Sequence, residues 1–158
     1  MHMLCCSFAG HRNVFVPDID RKIAAALDTI MGKDDTFVFY TGGMGEFDSK
    51  CASAVRAARH RFPEKQLRLV LVLPYMTSKV NTDKNLLETE YDDVMIPMEL
   101  AGVHPKAAIR ERNRWMVDRS DILLACVYRD FGGAYDTMQY ALHKRLPVIN
   151  LAQGEPQS

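Results

Sequence analysis

The sequence predicts an α/β domain: an open, mostly parallel sheet with helices on both faces. Two observations carry this reading. Short apolar runs of strand length alternate with helical periodicities, in the order β-α-β-α-β-loop-β-α-β-α-β. Glycine-bearing turns stand where strands hand over to helices, at Gly10, Gly42 to Gly45, and Gly132-Gly133. In open sheets of this kind ligands sit beyond the carboxyl ends of the strands, where the strand order reverses. At 158 residues the chain suits one domain with a proper core, and no repeat or low-complexity segment interrupts it.

Met3-Leu-Cys-Cys-Ser-Phe8 is a short apolar run of the kind that forms a fully buried parallel strand. Asp18 to Met31 reads as a helix, with Pro17 and Asp18 as a start signal, Ile19, Ile23, Leu27 and Ile30 as one apolar stripe, and Gly32 as a stop. Thr36 to Tyr40 is the second strand and Phe47 to Arg61 the second helix, with Cys51, Ala54, Val55 and Ala58 at core spacing before Pro63. Leu67 to Leu73 is the third strand. Tyr75 to Leu87 is polar and broken, a candidate lid or binding loop. Asp92 to Ile96 is a weaker fourth strand, and Pro105 to about Arg119 a helix. Asp121 to Val127 is the fifth strand, Gly133 to Lys144 the last helix, and Leu146 to Leu151 the last strand. The domain spans 1–152, and Gln153 to Ser158 reads as a frayed tail.

Composition excludes several functions. Lys plus Arg and Asp plus Glu each number 20, so the formal net charge is zero. Non-specific binding to nucleic acid or an anionic membrane, which needs a basic surplus, is not expected, although a local basic patch is compatible with the count. No apolar run approaches the roughly 18 residues of a membrane span, and no signal pattern opens the chain, so a cytoplasmic protein is expected. Cys5, Cys6, Cys51 and Cys126 form no C-x-x-C pair, and the adjacent Cys5 and Cys6 point to opposite faces of a strand. They read as small buried hydrophobes, with no metal site or disulfide framework.

The turn after the second strand, Thr41-Gly-Gly-Met-Gly-Glu-Phe-Asp48, carries the first candidate site. Its glycines let a ligand approach the backbone, and the following helix points free N–H groups and its positive dipole end at the same spot. That suits a phosphate or another anion. Gly132-Gly133 offers a second such turn, and both are expected to face one cleft. Arg12, in Gly10-His11-Arg12, either grips a phosphate or carboxylate bidentately or pairs with Asp18 or Asp121 as plain structure. Arg110, Arg112 and Arg114 alternate along a helix and so spread around it, with Arg112 the member considered for the site. Glu46 and Asp48 lie in a first helical turn, where carboxylates cap free N–H groups; Asp48 alternatively accepts from ligand hydroxyls. No Walker-type Gly-Lys-Ser/Thr occurs, and no nucleophile triad can be assembled.

The chain resembles the SLOG superfamily, which joins the DprA/SMF proteins with the LOG "lysine decarboxylase-like" enzymes, and within it the YpsA-like branch. The likeness rests on Gly10-His11-Arg12, on Thr41 to Asp48, on Arg112-Asn113 before Ser120-Asp121, and on Gly132-Gly-Ala-Tyr-Asp-Thr-Met-Gln-Tyr-Ala141. It implies a Rossmann-like fold binding a nucleotide or nucleotide-derived ligand across the Gly turns, as a sensor or carrier, and possible homo-oligomers. It raises Arg112, Gly133 and Thr137 as phosphate or ribose contacts. The candidate ligand-binding residues are then Gly10, His11, Arg12, Thr41, Gly42, Gly43, Met44, Gly45, Glu46, Asp48, Arg112 and Asn113, with Gly132, Gly133, Ala134, Tyr135 and Thr137 in the second turn. LOG enzymes split a nucleoside monophosphate into base and ribose phosphate using an Arg-Lys pair and a Pro-Gly-Gly-x-Gly-Thr-x-x-Glu motif. Here Asn113 stands in place of the Lys, Phe131 in place of the Pro, and Tyr140 in place of the Glu. Loss of that carboxylate argues against the hydrolysis. The alternative is an N-glycosidic-bond hydrolase or transferase acting on nucleotides, LOG-like or deoxyribosyltransferase-like, with Glu46 or Asp48 supplying the carboxylate. A DprA-like nucleic-acid role is a third reading, disfavoured by the zero net charge.

Overall fold

The computed structural model describes residues 3–78 and 83–152; the expected tail at 153–158 and the middle of the expected 75–87 loop lie outside these. Six strands form one sheet: β1 (Met3–Gly10), β2 (Thr36–Thr41), β3 (Gln66–Val72), β4 (Asp93–Met95), β5 (Ile122–Cys126) and β6 (Val148–Asn150). The helices are α1 (Ile19–Met31), α2 (Glu46–Arg61), α3 (Lys84–Glu90), α4 (Pro105–Asp118) and α5 (Gly133–His143), with a 3₁₀ turn at Met98–Leu100. The strand order is β4-β3-β2-β1-β5-β6, and every neighbouring pair is parallel.

Strand alternation builds the two sides of the core. Cys6, Phe8, Phe37, Phe39, Leu69, Leu124 and Cys126 face α1 and α2, where Ile23, Leu27, Ile30, Phe47, Cys51 and Val55 meet them. The opposite residues, Ala9, Leu123 and Ala125, face Met138 and Ala141 of α5, while Cys5, Val38, Val70 and Val72 receive Met116 of α4. Full burial of large side chains such as Phe37, Phe39 and Leu27 supplies roughly 1.5–3 kcal/mol each. All four cysteines are buried and unpaired.

Three details differ from the sequence-based expectation. The stretch read as a loop to Leu87 contains α3, whose seven residues are too few to show an amphipathic period. Asp18 precedes α1 in a left-handed conformation (φ 56°) and makes no side-chain cap. Gly32 ends α1 with φ −76°, so this stop uses no left-handed glycine.

The sheet order also fixes where ligands can sit. The chain steps outward from β1 to β4, then returns to the other side of β1 for β5, so the order reverses between β1 and β5. Their carboxyl ends are in register, Gly10 opposite Cys126. Gly10 is required by packing: a Cβ there would stand 2.5 Å from Phe47 Cβ and closer still to its ring. Gly10→Ala is therefore expected to lower the unfolding free energy by about 1–3 kcal/mol, read as a reduced urea midpoint. An unchanged midpoint would show that Phe47 can move aside.

Candidate functional site

Because β2, β1 and β5 are neighbours, their three glycine turns lie side by side along one edge of the sheet. Between them opens a cavity of about 460 Å³. The end of β1 supplies Gly10, His11, Arg12 and Asn13, the β2 turn supplies Met44 and Asp48, and α4 supplies Ile109, Arg112 and Asn113. The β5 side closes it with Arg129, Phe131, Gly132, Gly133, Ala134 and Thr137.

Three amides of the β2 turn are taken up by the protein itself. Gly43 N–H donates to Thr41 Oγ1 (3.2 Å), Met44 N–H to Asp48 Oδ2 (3.1 Å) and Glu46 N–H to the Arg12 carbonyl (2.9 Å). Gly43 and Gly45 hold φ of 66° and 91°, which glycine adopts without strain. Behind the turn, Arg112 is 2 % exposed. Its Nη1 donates to the carbonyls of Val72 (2.9 Å) and Gly42 (3.3 Å), its Nε to Asn113 Oδ1 (2.9 Å), and its Nη2 contacts Met44 Sδ (3.6 Å). A Cβ on Gly42 would meet this guanidinium at 2.8 Å. Arg112 thus borders the cavity while its donors brace the turn. Burial pushes the Asp48 carboxyl up to about 7, opposed by the Met44 amide and the Arg112 charge.

The β1 and β5 turns present a different surface. His11 is buried; its Nε2 accepts from Tyr128 N–H (3.2 Å) and its ring meets the Tyr128 ring edge-on at 4.5 Å. That acceptor role places the ring proton on Nδ1. Burial, and secondarily Arg129, hold the His11 pKa below its ordinary value, so the ring is neutral. Tyr128 Oη donates to the Asn13 carbonyl (2.7 Å), which ties the two loops together. Arg12 and Arg129 are both exposed, and neither makes an ion pair among the described residues. The Arg129 guanidinium lies 5.2 Å from the Tyr128 ring centroid and 5.9 Å from that of Phe131. Helix α5 begins after Gly132 (φ 97°) with no side-chain cap, and its first intrahelical bond runs from Asp136 N–H. The amides of Gly133, Ala134 and Tyr135 therefore have no acceptor among the described residues.

The expected residues are distributed unevenly. Gly10, His11, Arg12, Met44, Asp48, Arg112, Asn113, Gly132, Gly133, Ala134 and Thr137 line the cavity. Gly42 and Gly43, with Met44, border a second cavity of about 280 Å³ beside Tyr75 and Tyr91. Thr41, Gly45, Glu46 and Tyr135 line neither: Thr41 is buried under its own turn, and Glu46 is exposed on the outer side. Asp121 accepts from Cys5 N–H (2.8 Å), and Ser120 joins Ser7, so this pair fastens β5 to β1. Tyr140, in the place of the LOG Glu, donates to Asp118 (2.7 Å) and does not line the cavity. Sequence reasoning missed Asn13, Arg129 and Phe131. A polar or charged residue between the end of a strand and a glycine turn was the available signal, present in Tyr128-Arg-Asp-Phe131.

No family model matches the chain, and no curated protein matches it by sequence. Solved structures do match. DNA processing protein A from Helicobacter pylori, which has a unique single-stranded DNA binding mode, gives a TM-score of 0.66 at 16 % identity over 98 % of this chain and 68 % of that one. DNA processing protein A (DprA) from Streptococcus pneumoniae gives 0.64 at 15 % identity, over 92 % of this chain and 49 % of that one. The structural neighbours are DprA proteins, members of the SLOG superfamily. At such identities the likeness establishes the Rossmann-like fold. It also corrects one expectation: zero net charge does not make nucleic acid an improbable partner, since a neighbour matching nearly the whole chain binds single-stranded DNA. A net charge sums over the whole surface and says nothing about where the charges lie. Among the described residues, no helix is long and apolar enough to cross a membrane, and no cluster of metal-ligating side chains occurs.

The Asp48 carboxyl gives this site a pH signature. Its pKa is raised on folding from 3.8 to about 7, so the native state binds more protons and its stability is highest when the carboxyl is protonated. Stability is expected to fall between pH 3.8 and about 7, by at most about 1.4 kcal/mol per pH unit, and then to level off. Asp48→Asn is expected to abolish this component and to be the more stable protein at pH 8, in paired urea titrations at pH 5 and pH 8. Equal pH dependence of the two proteins would show that Arg112 keeps Asp48 ionised throughout.

Proposed function

We propose that the cavity binds the phosphate-bearing part of a nucleotide or nucleotide-derived ligand, and that the chain works as a sensor or carrier. The observation that carries this reading is the convergence on the cavity of cationic groups that make no ion pair among the described residues. Arg12, Arg129 and the open amides at the start of α5 all border it, at the reversal of strand order. Two guanidiniums and a helix N-terminus suit a phosphate. Phe131, 64 % exposed at the rim, offers a face on which a base can stack. A volume of about 460 Å³ falls in the range of small-molecule sites. Membership of the YpsA-like branch rests on the four motifs quoted above. A base, a sugar and a phosphate form the same recognition unit in a free nucleotide and in a single strand, so the Helicobacter pylori neighbour supports this reading too.

One observation favours a second reading, hydrolysis of an N-glycosidic bond. Asp48 is a cavity carboxyl whose burial pushes its pKa up to about 7, a range that suits a general acid. Against it stands the engagement of Asp48 Oδ2 by the Met44 amide. Product analysis of each bound nucleotide separates the readings, because free base appears only with hydrolysis.

The proposal is tested by titrating nucleoside monophosphates, ADP-ribose and NAD into the protein by calorimetry. Arg12→Ser with Arg129→Ser is expected to weaken the best ligand at least tenfold, about 1.4 kcal/mol or more, with an unchanged melting midpoint. Gly133→Ala adds a methyl group where the protein has no atom within 4 Å, so it is expected to impair binding and leave stability nearly intact. Full affinity in both variants would move the ligand elsewhere.

A further inference from the structure

We infer that the groove between α4 and α5 is a second part of the binding site, holding further phosphate groups of the same ligand. The inference rests on the nucleotide reading of the main cavity. The groove, of about 290 Å³, is continuous with that cavity through Ile109, Asn113, Gly133 and Thr137. Its α4 wall carries Lys106, Arg110 and Arg114. Four-residue spacing places these three on one face of the helix, about 6 Å apart along its axis. Successive phosphates of an extended single strand follow one another on that scale.

The three cations are available. Lys106 makes no ion pair among the described residues, and Arg110, 61 % exposed, has only its neighbour Glu111 at 3.8 Å. Arg114 lies 4.9 Å from the Tyr140 ring centroid, with no carboxylate partner among the described residues. Elsewhere among the described residues several carboxylates are matched: Asp20 with Lys50, Asp28 with Arg61, Asp92 with Arg59, and Asp118 with Lys144. The balanced total thus conceals a basic track running from Arg12 and Arg129 past the start of α5 and along α4. Among the described residues, Asp136 is the single carboxylate lining the groove. A phosphate chain can be a phosphodiester backbone or the phosphoanhydride bridge of a dinucleotide polyphosphate, and both present consecutive anions to this track.

Fluorescence anisotropy decides the matter, using labelled oligothymidylate of about 12 nucleotides, a labelled dinucleotide polyphosphate and a labelled mononucleotide. Replacing Lys106, Arg110 and Arg114 together by Gln, all exposed positions, is expected to weaken the oligonucleotide or the polyphosphate at least tenfold. The oligonucleotide's salt dependence should become shallower by about two in the log–log slope. Mononucleotide affinity and the melting midpoint should stay unchanged. Asp136→Asn is expected to tighten the same ligand severalfold, a gain that general damage cannot mimic. The ligand that responds identifies the source of the phosphates. Unchanged binding of both in the triple variant overturns the groove, even where mononucleotide binding still depends on Arg12 and Arg129. If mononucleotide binding ignores those two arginines, the cavity reading itself has failed.

Discussion

The geometry of the site depends on one buried cation. Arg112 reaches from α4 beneath the β2 turn and donates to the carbonyls of Gly42 and Val72, holding the carboxyl ends of β2 and β3 against the helix. A guanidinium removed from water is tolerated only with its donors matched, and this one finds two carbonyls, the Asn113 amide oxygen and a thioether. Asp48 stands nearby as the counter-charge and in turn holds the Met44 amide. The β2 glycines exist for this arrangement. Gly42 has no room for a Cβ beside Arg112, and Gly45 has none beside the Arg12 backbone. Close approach of chain to chain, not of ligand to chain, accounts for most of that turn.

With β2 braced, the exposed cations of the cavity lining come from the ends of β1 and β5. The Tyr128–Asn13 and Tyr128–His11 contacts join their loops, and the join sets Arg12 and Arg129 at one cavity. The α5 turn differs from the α2 turn at its first amide: Glu46 N–H donates to the Arg12 carbonyl, whereas Gly133 N–H has no acceptor among the described residues. A Cβ added at Gly132 or Gly133 would also meet nothing within 4 Å. Both glycine turns border the cavity, the first with three of its amides taken up by the protein and the second with amides that have no acceptor among the described residues.

Charge is distributed on the same principle. A formal net charge of zero describes a surface on which acids and bases of α1, α2 and the β3–β4 edge neutralise one another in pairs. The cations around the cavity and on α4 are largely left out of this pairing. Surface pairs of the first kind contribute little to stability.

Alternation of strand and helix, and the location of glycine turns at strand ends, were legible in the sequence. Periodicity and turn chemistry are local properties, and Ile23, Leu27, Ile30 and the runs at β1, β3 and β5 state them openly. The placement of Gly10, Arg12 and Gly132-Gly133 at one end of the sheet followed from that alternation alone. What the sequence left open was which hydrogen-bond donors would be used up. Arg112 and Arg110 are two residues apart and chemically alike, yet one is buried as a brace and the other lines an open groove. The choice depends on strand order, which puts the Gly42 carbonyl above α4, and on contacts spanning 40 to 70 residues. Arg129 reached the cavity for the same reason: only the return of β5 to the side of β1 brings its loop beside Arg12. The sequence by itself determined the elements and their polarity; tertiary structure alone decided which charged groups were spent on the fold and which were left facing the cavity, because desolvation and partner geometry exist only once distant segments meet.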